Sequence, residues 1–424
     1  MRRLTLPICL LTLFVAGLAL ARVAPKPEYV ATAILDHADG MYKCGKEATI
    51  SVTIKHNGVL MTTGTFDWVL NVDGVKKIAS GRAQLGEQPT VIKGTLAEPG
   101  ILRLTITKVD DQGVRLVPIG AGYEVEKIRP TCVEPKDFTK FWEDQKALVR
   151  AIPDDVQMEK VDKRSNAKQI TYKISFANIE GTRQYGWLSV PTAPGPHPAL
   201  LTVPGAGWHP YGPSGGMAEQ GFIAMVLYVH NYPVDLAPEK YNELQKGELA
   251  GYQRKGRESR ETYYFRRVFL GCTRFMDYLM SRPEWDGKNL IVTGSSQGGA
   301  LSLICAGLEP KVTAIAANVP AMCDHTGCLS DRASGWPRLI PNKDPNIAKV
   351  SAYFDAVNFA RHAKCNTLIS TGFADSCCPP TSVYSAYAVL PQPKLMVPTP
   401  SMGHSHSKEY SDLRNKFISG LGKW

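Results

Sequence analysis

Beyond residue 21 the chain has no apolar run long enough to cross a bilayer, so no later membrane-spanning helix is expected. It has no internal repeat, no glycine at every third position and no low-complexity tract, which excludes solenoids, collagen-like rods and long disordered tails. It also lacks a Cys-x-x-Cys pair, so a zinc ribbon is not predicted. Acidic residues are the minority, 39 against 49 Lys and Arg, for a formal charge of +10. That excess matches an anionic polysaccharide or a membrane surface better than nucleic acid, because the first residues point to export.

Arg2 and Arg3 begin a basic start, Leu4–Leu20 is apolar apart from two Thr and a Pro, and Ala19-Leu20-Ala21 offers a small-x-small cleavage site. This pattern predicts a signal peptide over residues 1–21 and a periplasmic or secreted product, with no stable membrane insertion after cleavage. Export permits disulfides. Ten Cys less Cys9 leaves an odd number, so at least one thiol is free or pairs between chains. Cys323 with Cys328 and Cys44 with Cys132 are candidate pairs, and the adjacent Cys377-Cys378 reads as two small thiols rather than a vicinal bridge.

With 424 residues the chain has room for more than one domain. Residues 27–127 read as β: "EATISVTIKH" and "GILRLTITKV" alternate apolar and polar, and "NVDGVKK" and "VDDQGVR" carry turn chemistry. Six or seven short strands of this kind predict an immunoglobulin-like sandwich with no catalytic cluster. "EKIRPTCVEP" breaks the pattern, and residues 133–424 form the second domain. "PKDFTKFWEDQKALVRAI" has helical apolar spacing. The runs "PALLTV", "FIAMVLYV", "NLIVT", "VTAIAANV" and "NTLIST" have the length and composition of buried parallel strands. With the helix pattern "YYFRRVFLGCTRFMDYLMSR" among them, they predict an α/β fold with helices on a mostly parallel sheet. The polar stretch 237–262 is too long for a routine connection and reads either as a rim loop over the site or as a surface insertion.

The chemistry gathers at Gly294-Ser295-Ser296-Gln297-Gly298, a Gly-x-Ser-x-Gly between the strand "NLIVT" and the helix pattern "GGALSLICAGL". That context raises a serine on a sharp turn and aims the Gln297 amide, at a helix N-terminus, at a developing oxyanion. A serine hydroxyl needs a base. After Ser296 the chain offers His325, His362, His404 and His406. His404, in the loop after "KLMVP", is the chosen base and His406 its competitor. A metal held by His404 and His406 lacks a third ligand cluster, and no cofactor is expected. Asp375 follows "NTLIST" and is the predicted acid, ahead of Asp324, Asp331 and Asp344. The bland reading of Asp375 is a cap on the next helix. A second oxyanion amide is expected from Ala206 in the turn after "PALLTV". Trp208, His209 and Tyr211 follow it as candidate substrate contacts or plain core.

These residues are familiar. "YYFRRVFLGCTRFMDYLMSRPEWDGKNLIVTGSSQGGAL", "GFADSCCPPTSVYSAY" and "PKDFTKFWED" resemble three separated motifs of the acetyl xylan esterase and cephalosporin-C deacetylase family, an α/β-hydrolase branch. The resemblance spans most of 133–420 and implies Ser296 as nucleophile, Asp375 as acid, His404 as base and Gln297 as an oxyanion amide. Departures occur where the family's His-Gly-Tyr reads Pro204-Gly205-Ala206, where Ser405 follows His404 in place of Glu, and in the added sandwich. The Arg-Gly-Gln motif is not clear in "YQRKGRESRET".

The expected function is an exported serine carbohydrate esterase that deacetylates plant polysaccharide or its oligosaccharides. The alternatives are a pectin-type methylesterase, for which Ala206 and the basic charge leave room, a peptidase or amidase on the same fold, and a non-catalytic glycan-binding protein.

Overall fold

A computed structural model describes residues 28–424 apart from His209. The expected signal peptide lies outside the described residues. Strands β1 (Tyr29–Leu35), β2 (Met41–Tyr42), β3 (Ala48–His56), β4 (Val59–Leu60), β5 (Thr65–Val72), β6 (Lys76–Gln84), β7 (Thr90–Gly94), β8 (Gly100–Val109) and β9 (Gln112–Tyr123) build two facing sheets. One holds β1, β3, β4 and β7, the other runs β2-β9-β8-β5-β6. The alternation seen in the sequence is the cause: Ala48, Ile50, Val52 and Ile54 of β3 point inward and meet Phe66, Leu70, Leu102 and Leu104 of the opposite sheet. The six or seven strands expected become nine because β2 and β4 are two-residue pairings with no alternation to read.

The second region is a nine-stranded mixed sheet. Its strands are β10 (Gln157–Lys160), β11 (Gln169–Ala177), β12 (Arg183–Pro191), β13 (His197–Val203), β14 (Ile223–Tyr228), β15 (Trp285–Ser295), β16 (Ala314–Asn318), β17 (Asn366–Gly372) and β18 (Lys394–Thr399). Their order is β10-β11-β12-β14-β13-β15-β16-β17-β18, parallel from β14 to β18 and antiparallel at the β10 edge. Helices α1 (Phe138–Arg150), α2 (Gly215–Glu219), α3 (Pro238–Lys246), α4 (Tyr264–Ser281), α5 (Gln297–Leu308), α6 (Pro345–Ser351), α7 (Ala356–His362), α8 (Pro380–Val389) and α9 (Lys408–Ser419) cover it. None of the described helices is long and apolar enough to cross a membrane.

Neighbouring strand residues serve opposite faces. Leu200 and Ile291 pack with Tyr410 and Phe417 of α9, while Ala199, Leu201, Leu290 and Val292 join α1, α4 and α5 on the other side. Covering both faces explains why every residue of β14 and β16 is buried and why those runs read as continuous apolar stretches.

The two regions meet through a small apolar cluster of Ile101, Val125 and Ile128 with Phe373 and Tyr384. Gly120 allows this approach: a Cβ there would lie 2.8 Å from Phe373 Cβ, and its amide donates to Pro400 O at 3.0 Å. All nine described cysteines carry free thiols. The suggested pairs Cys323–Cys328 and Cys44–Cys132 are therefore not disulfides. Cys132 and Cys323 are buried in the hydrolase core, whereas Cys44 borders the sandwich core.

Candidate active site

β15, β17 and β18 end at the same carboxyl edge of the sheet, with β16 between the first two, and the chain after each carries one residue of a relay. β15 ends at Ser295, and Ser296 follows with φ 60° and ψ −118°, a strained turn that caps α5. Its amide donates to Asn318 O at 2.9 Å, and its carbonyl accepts from Ala321 N at 2.9 Å, so the corner is held from both sides. The flanking glycines are needed for close contact: a Cβ on Gly298 would lie 2.2 Å from Val203 O, and one on Gly299 would lie 2.6 Å from Asn318 O.

Asp375 follows β17 and is fully buried. Its Oδ1 accepts from the amides of Cys377 and Cys378 at 2.7 and 2.9 Å, and its Oδ2 meets His404 Nδ1 at 2.8 Å. The cap reading and the acid reading thus use different oxygens. The turn closed by Oδ1 precedes α8, whose own N-cap is Pro379. His404 follows β18, and its Nε2 stands 2.8 Å from Ser296 Oγ. The loops carrying Asp375 and His404 cross at Gly372, where a Cβ would meet Met402 O at 2.2 Å. His406 is exposed and lies outside the relay.

The competing residues serve elsewhere. His362 pairs with Glu134 at 2.9 Å, and Asp344 caps α6. Asp324 takes the amides of Thr131 and Cys132, and Asp331 is exposed.

Burial works against the charged form of His404, but its hydrogen bond to Asp375 and the Cys377 sulfur outweigh this and push its pKa up. The Cys377 thiol moves the other way, held below the usual thiol range by Cys378 and then by His404. Cys377 Sγ, Cys378 Sγ and a His404 ring nitrogen lie within 4.8 Å of one another, a set able to hold a soft cation. Both nitrogens of His404 are already engaged by Asp375 and Ser296, so an ion there would compete with the relay.

The turn after β13 is fixed by groups the sequence reading passed over. Gln297 is buried, and beyond its amide its side chain donates Nε2 to Gly205 O at 3.2 Å and accepts from Tyr252 Oη at 2.7 Å. His230, fully buried, meets Gly207 O at 2.9 Å and Tyr264 Oη at 2.7 Å. Ala206 is half-buried between these two tied carbonyls. Tyr211 donates to Gly205 O at 3.1 Å, and Trp208 donates to Leu249 O at 3.2 Å while packing edge-on against Tyr252. Both therefore brace the turn. His209 lies outside the described residues.

His230 had a signal, since it closes an apolar run at the sheet's carboxyl edge. Tyr252 had none, because it sits in the polar stretch 237–262. That stretch is neither a plain rim nor a plain insertion: it sends Leu249 and Tyr252 into the interior beneath the turn.

A further contact comes from the sandwich. Arg103 of β8 is buried and donates Nη1 to Asp375 O at 2.6 Å. Asp73 beside it is buried and accepts from Thr381 at the start of α8. Gly74 makes room, since a Cβ there would lie 2.4 Å from an Arg103 nitrogen.

Comparison with known proteins agrees with this architecture. Residues 122–421 match the family described as Acetyl xylan esterase (AXE1). The acetyl esterase Axe7A of Xylanibacter ruminicola is 34% identical over 401 residues, covering 92% of this chain and 90% of that protein. Among solved structures, an acetyl xylan esterase from Paenibacillus sp. R4 aligns with a TM-score of 0.61 and 26% identity over 70% of this chain and 98% of its own. Acetyl xylan esterase 1 from Thermoanaerobacterium sp. JW/SL YS485 has the same fold, with a TM-score of 0.62, 24% identity and coverage of 71% and 98%. Both solved structures are spanned almost completely, while more than a quarter of this chain is left over.

Proposed function

The chain belongs to the acetyl xylan esterase family of carboxylic ester hydrolases, and on that premise we propose that it deacetylates plant cell-wall xylan or its oligosaccharides through Ser296, His404 and Asp375. The observation that carries this reading is one imidazole hydrogen-bonded at 2.8 Å to a serine hydroxyl on one side and at 2.8 Å to a buried carboxylate on the other.

Ser296 Oγ attacks the acetyl carbonyl as His404 Nε2 takes its proton. Asp375 fixes the ring through Nδ1 and stabilises the imidazolium that forms. The amides of Gln297 and Ala206 receive the oxyanion, with the turn after β13 held by Gln297, Tyr252 and His230. The C–O bond to the sugar breaks, and His404 returns the proton to the departing hydroxyl. Water activated by the same imidazole then releases acetate from the acyl-enzyme and restores Ser296. The basic, apolar and small-x-small start of the sequence supports export to the periplasm or beyond.

Release of acetate from acetylated xylan and of methanol from methyl-esterified pectin, measured in parallel, tests the reading. Acetate lost on Ser296→Ala supports it. Methanol without acetate would overturn it in favour of a uronyl methylesterase, and release of neither would leave the glycan-binding alternative standing.

A further inference from the structure

A cavity of about 470 Å³ opens beside the relay, lined by Arg115, Arg254, Trp336, Arg338, Ser376 and Cys377. Its Cys377 wall is shared with the site, since that sulfur lies within 4.8 Å of a His404 ring nitrogen. Three separate segments send guanidiniums to it. Arg115 comes from β9 of the sandwich, Arg254 from the stretch before α4, and Arg338 from the loop before α6. All three residues are exposed, and no carboxylate lines the cavity.

Several arginines elsewhere find acids, among them Arg82 with Asp67, Arg150 with Asp277, Arg183 with Asp155, Arg260 with Asp137 and Arg274 with Asp154, while Arg129 and Arg361 bond only to main-chain or amide oxygens. The three around the cavity find no acid. Arg254 donates to Pro337 O at 2.9 Å and Arg338 to Ser376 O at 2.8 Å, and neither has an acidic partner among the described residues. Arg338 holds this place with a left-handed backbone, φ 53°, a costly conformation for a residue with a Cβ. The like charges are felt nearby. Burial lowers the pKa of Arg103, and although Asp73 and Asp375 oppose this, Arg115 and Arg338 lower it further. Gathering like charges beside a reaction centre without neutralising them is unfavourable unless an anion comes to fill the gap. Trp336, half-buried against Tyr252 and Phe265, adds an apolar face of the kind that sugar rings stack on.

We propose that this cavity is a subsite for a carboxylate-bearing sugar, a uronic acid side group on the acetylated oligosaccharide, gripped by Arg115, Arg254 and Arg338 with Trp336 along its ring. The proposal rests on the deacetylase reading and sharpens its substrate class: acetyl esters next to acidic substituents become the preferred bonds. It also gives the sandwich a direct hand in substrate selection through Arg115.

The test compares kcat/KM for two acetylated xylo-oligosaccharides of equal length, one neutral and one carrying a single glucuronic acid, with p-nitrophenyl acetate as a measure of the catalytic machinery. The acidic substrate is expected to be favoured by about tenfold at low salt, chiefly through KM, with the preference shrinking as salt rises. In Arg115→Gln and Arg254→Gln the acidic-to-neutral ratio should fall severalfold towards one. Equal kcat/KM for both glycans in the wild type, or variants that lower both glycans in the same proportion, would overturn the subsite and leave the deacetylase reading intact. Turnover of p-nitrophenyl acetate with neither glycan cleaved would overturn both.

Discussion

The sandwich and the hydrolase region differ in what they hide. In the hydrolase sheet β14 and β16 are buried at every residue, whereas β6 of the sandwich has no buried residue at all. Where the two regions touch, the contrast reverses. The sandwich contributes a buried guanidinium and a buried carboxyl, Arg103 and Asp73, and the hydrolase region answers with a main-chain carbonyl and the hydroxyl of Thr381. The region with no nucleophile, base or oxyanion donor therefore reaches the backbone of the acid in the relay. The sandwich thus forms part of the surroundings of Asp375 while supplying none of the three residues proposed to do the chemistry.

The sharpest way to separate the regions is Ser296→Ala, which should lower kcat by about 10⁴-fold or more while leaving the melting temperature nearly unchanged. Arg103→Met tests the opposite case, a change in the sandwich read out in the hydrolase. It leaves Asp375 O without its donor and Asp73 with only Arg332 as a compensating charge. The expected cost is about 3 kcal/mol of stability and, through misplacement of the acid, roughly ten- to hundredfold in kcat. A thermal scan alongside kinetics decides this: lost stability with full kcat would reduce Arg103 to a structural peg.

Tyr252→Phe probes a brace internal to the hydrolase. Removing the hydroxyl leaves Gln297 Oε1 unpaired, so about 1–3 kcal/mol of stability and a severalfold loss in kcat are expected. A kcat held at the wild-type value would show that the turn after β13 keeps its shape without this bond. The smallest effect concerns pH. The relay works with His404 neutral, so activity rises with pH through the pKa of this imidazole. The Cys377 sulfur raises that pKa, so Cys377→Val should move the acidic limb of the kcat/KM profile to lower pH. An unmoved limb would mean that Asp375 alone sets it.

Much of this was readable beforehand because it is local. A Gly-x-Ser-x-Gly between an apolar strand and a small-residue helix defines its own geometry. Asp375 follows a run that reads as a buried strand, and His404 lies in the loop after the short apolar run "KLMVP". What escaped was long-range. The Arg103–Asp375 contact joins residues 272 apart, and the Asp73–Thr381 contact joins residues 308 apart. Neither arginine nor aspartate carries a periodic signal for such a partner. Tyr252 was hidden in a polar stretch whose composition describes its surface and not its few inward residues. Cysteine spacing misled for the same reason: Cys44 and Cys132 are separated in space by the boundary between two cores, which counting along the chain cannot detect.

The Arg103 bond also imposes an order in time. The sandwich leaves the ribosome first, and its guanidinium has to wait for an acceptor 272 residues further on. At ordinary elongation rates that interval is about half a minute. The early domain folds around a charge whose destination has not yet been synthesised. Asp375 then reaches a surface already prepared to receive its carbonyl, and the loop after the last strand, carrying His404, completes the relay against it. From Ser296 until His404 emerges, the nascent protein thus holds its serine without the means to use it.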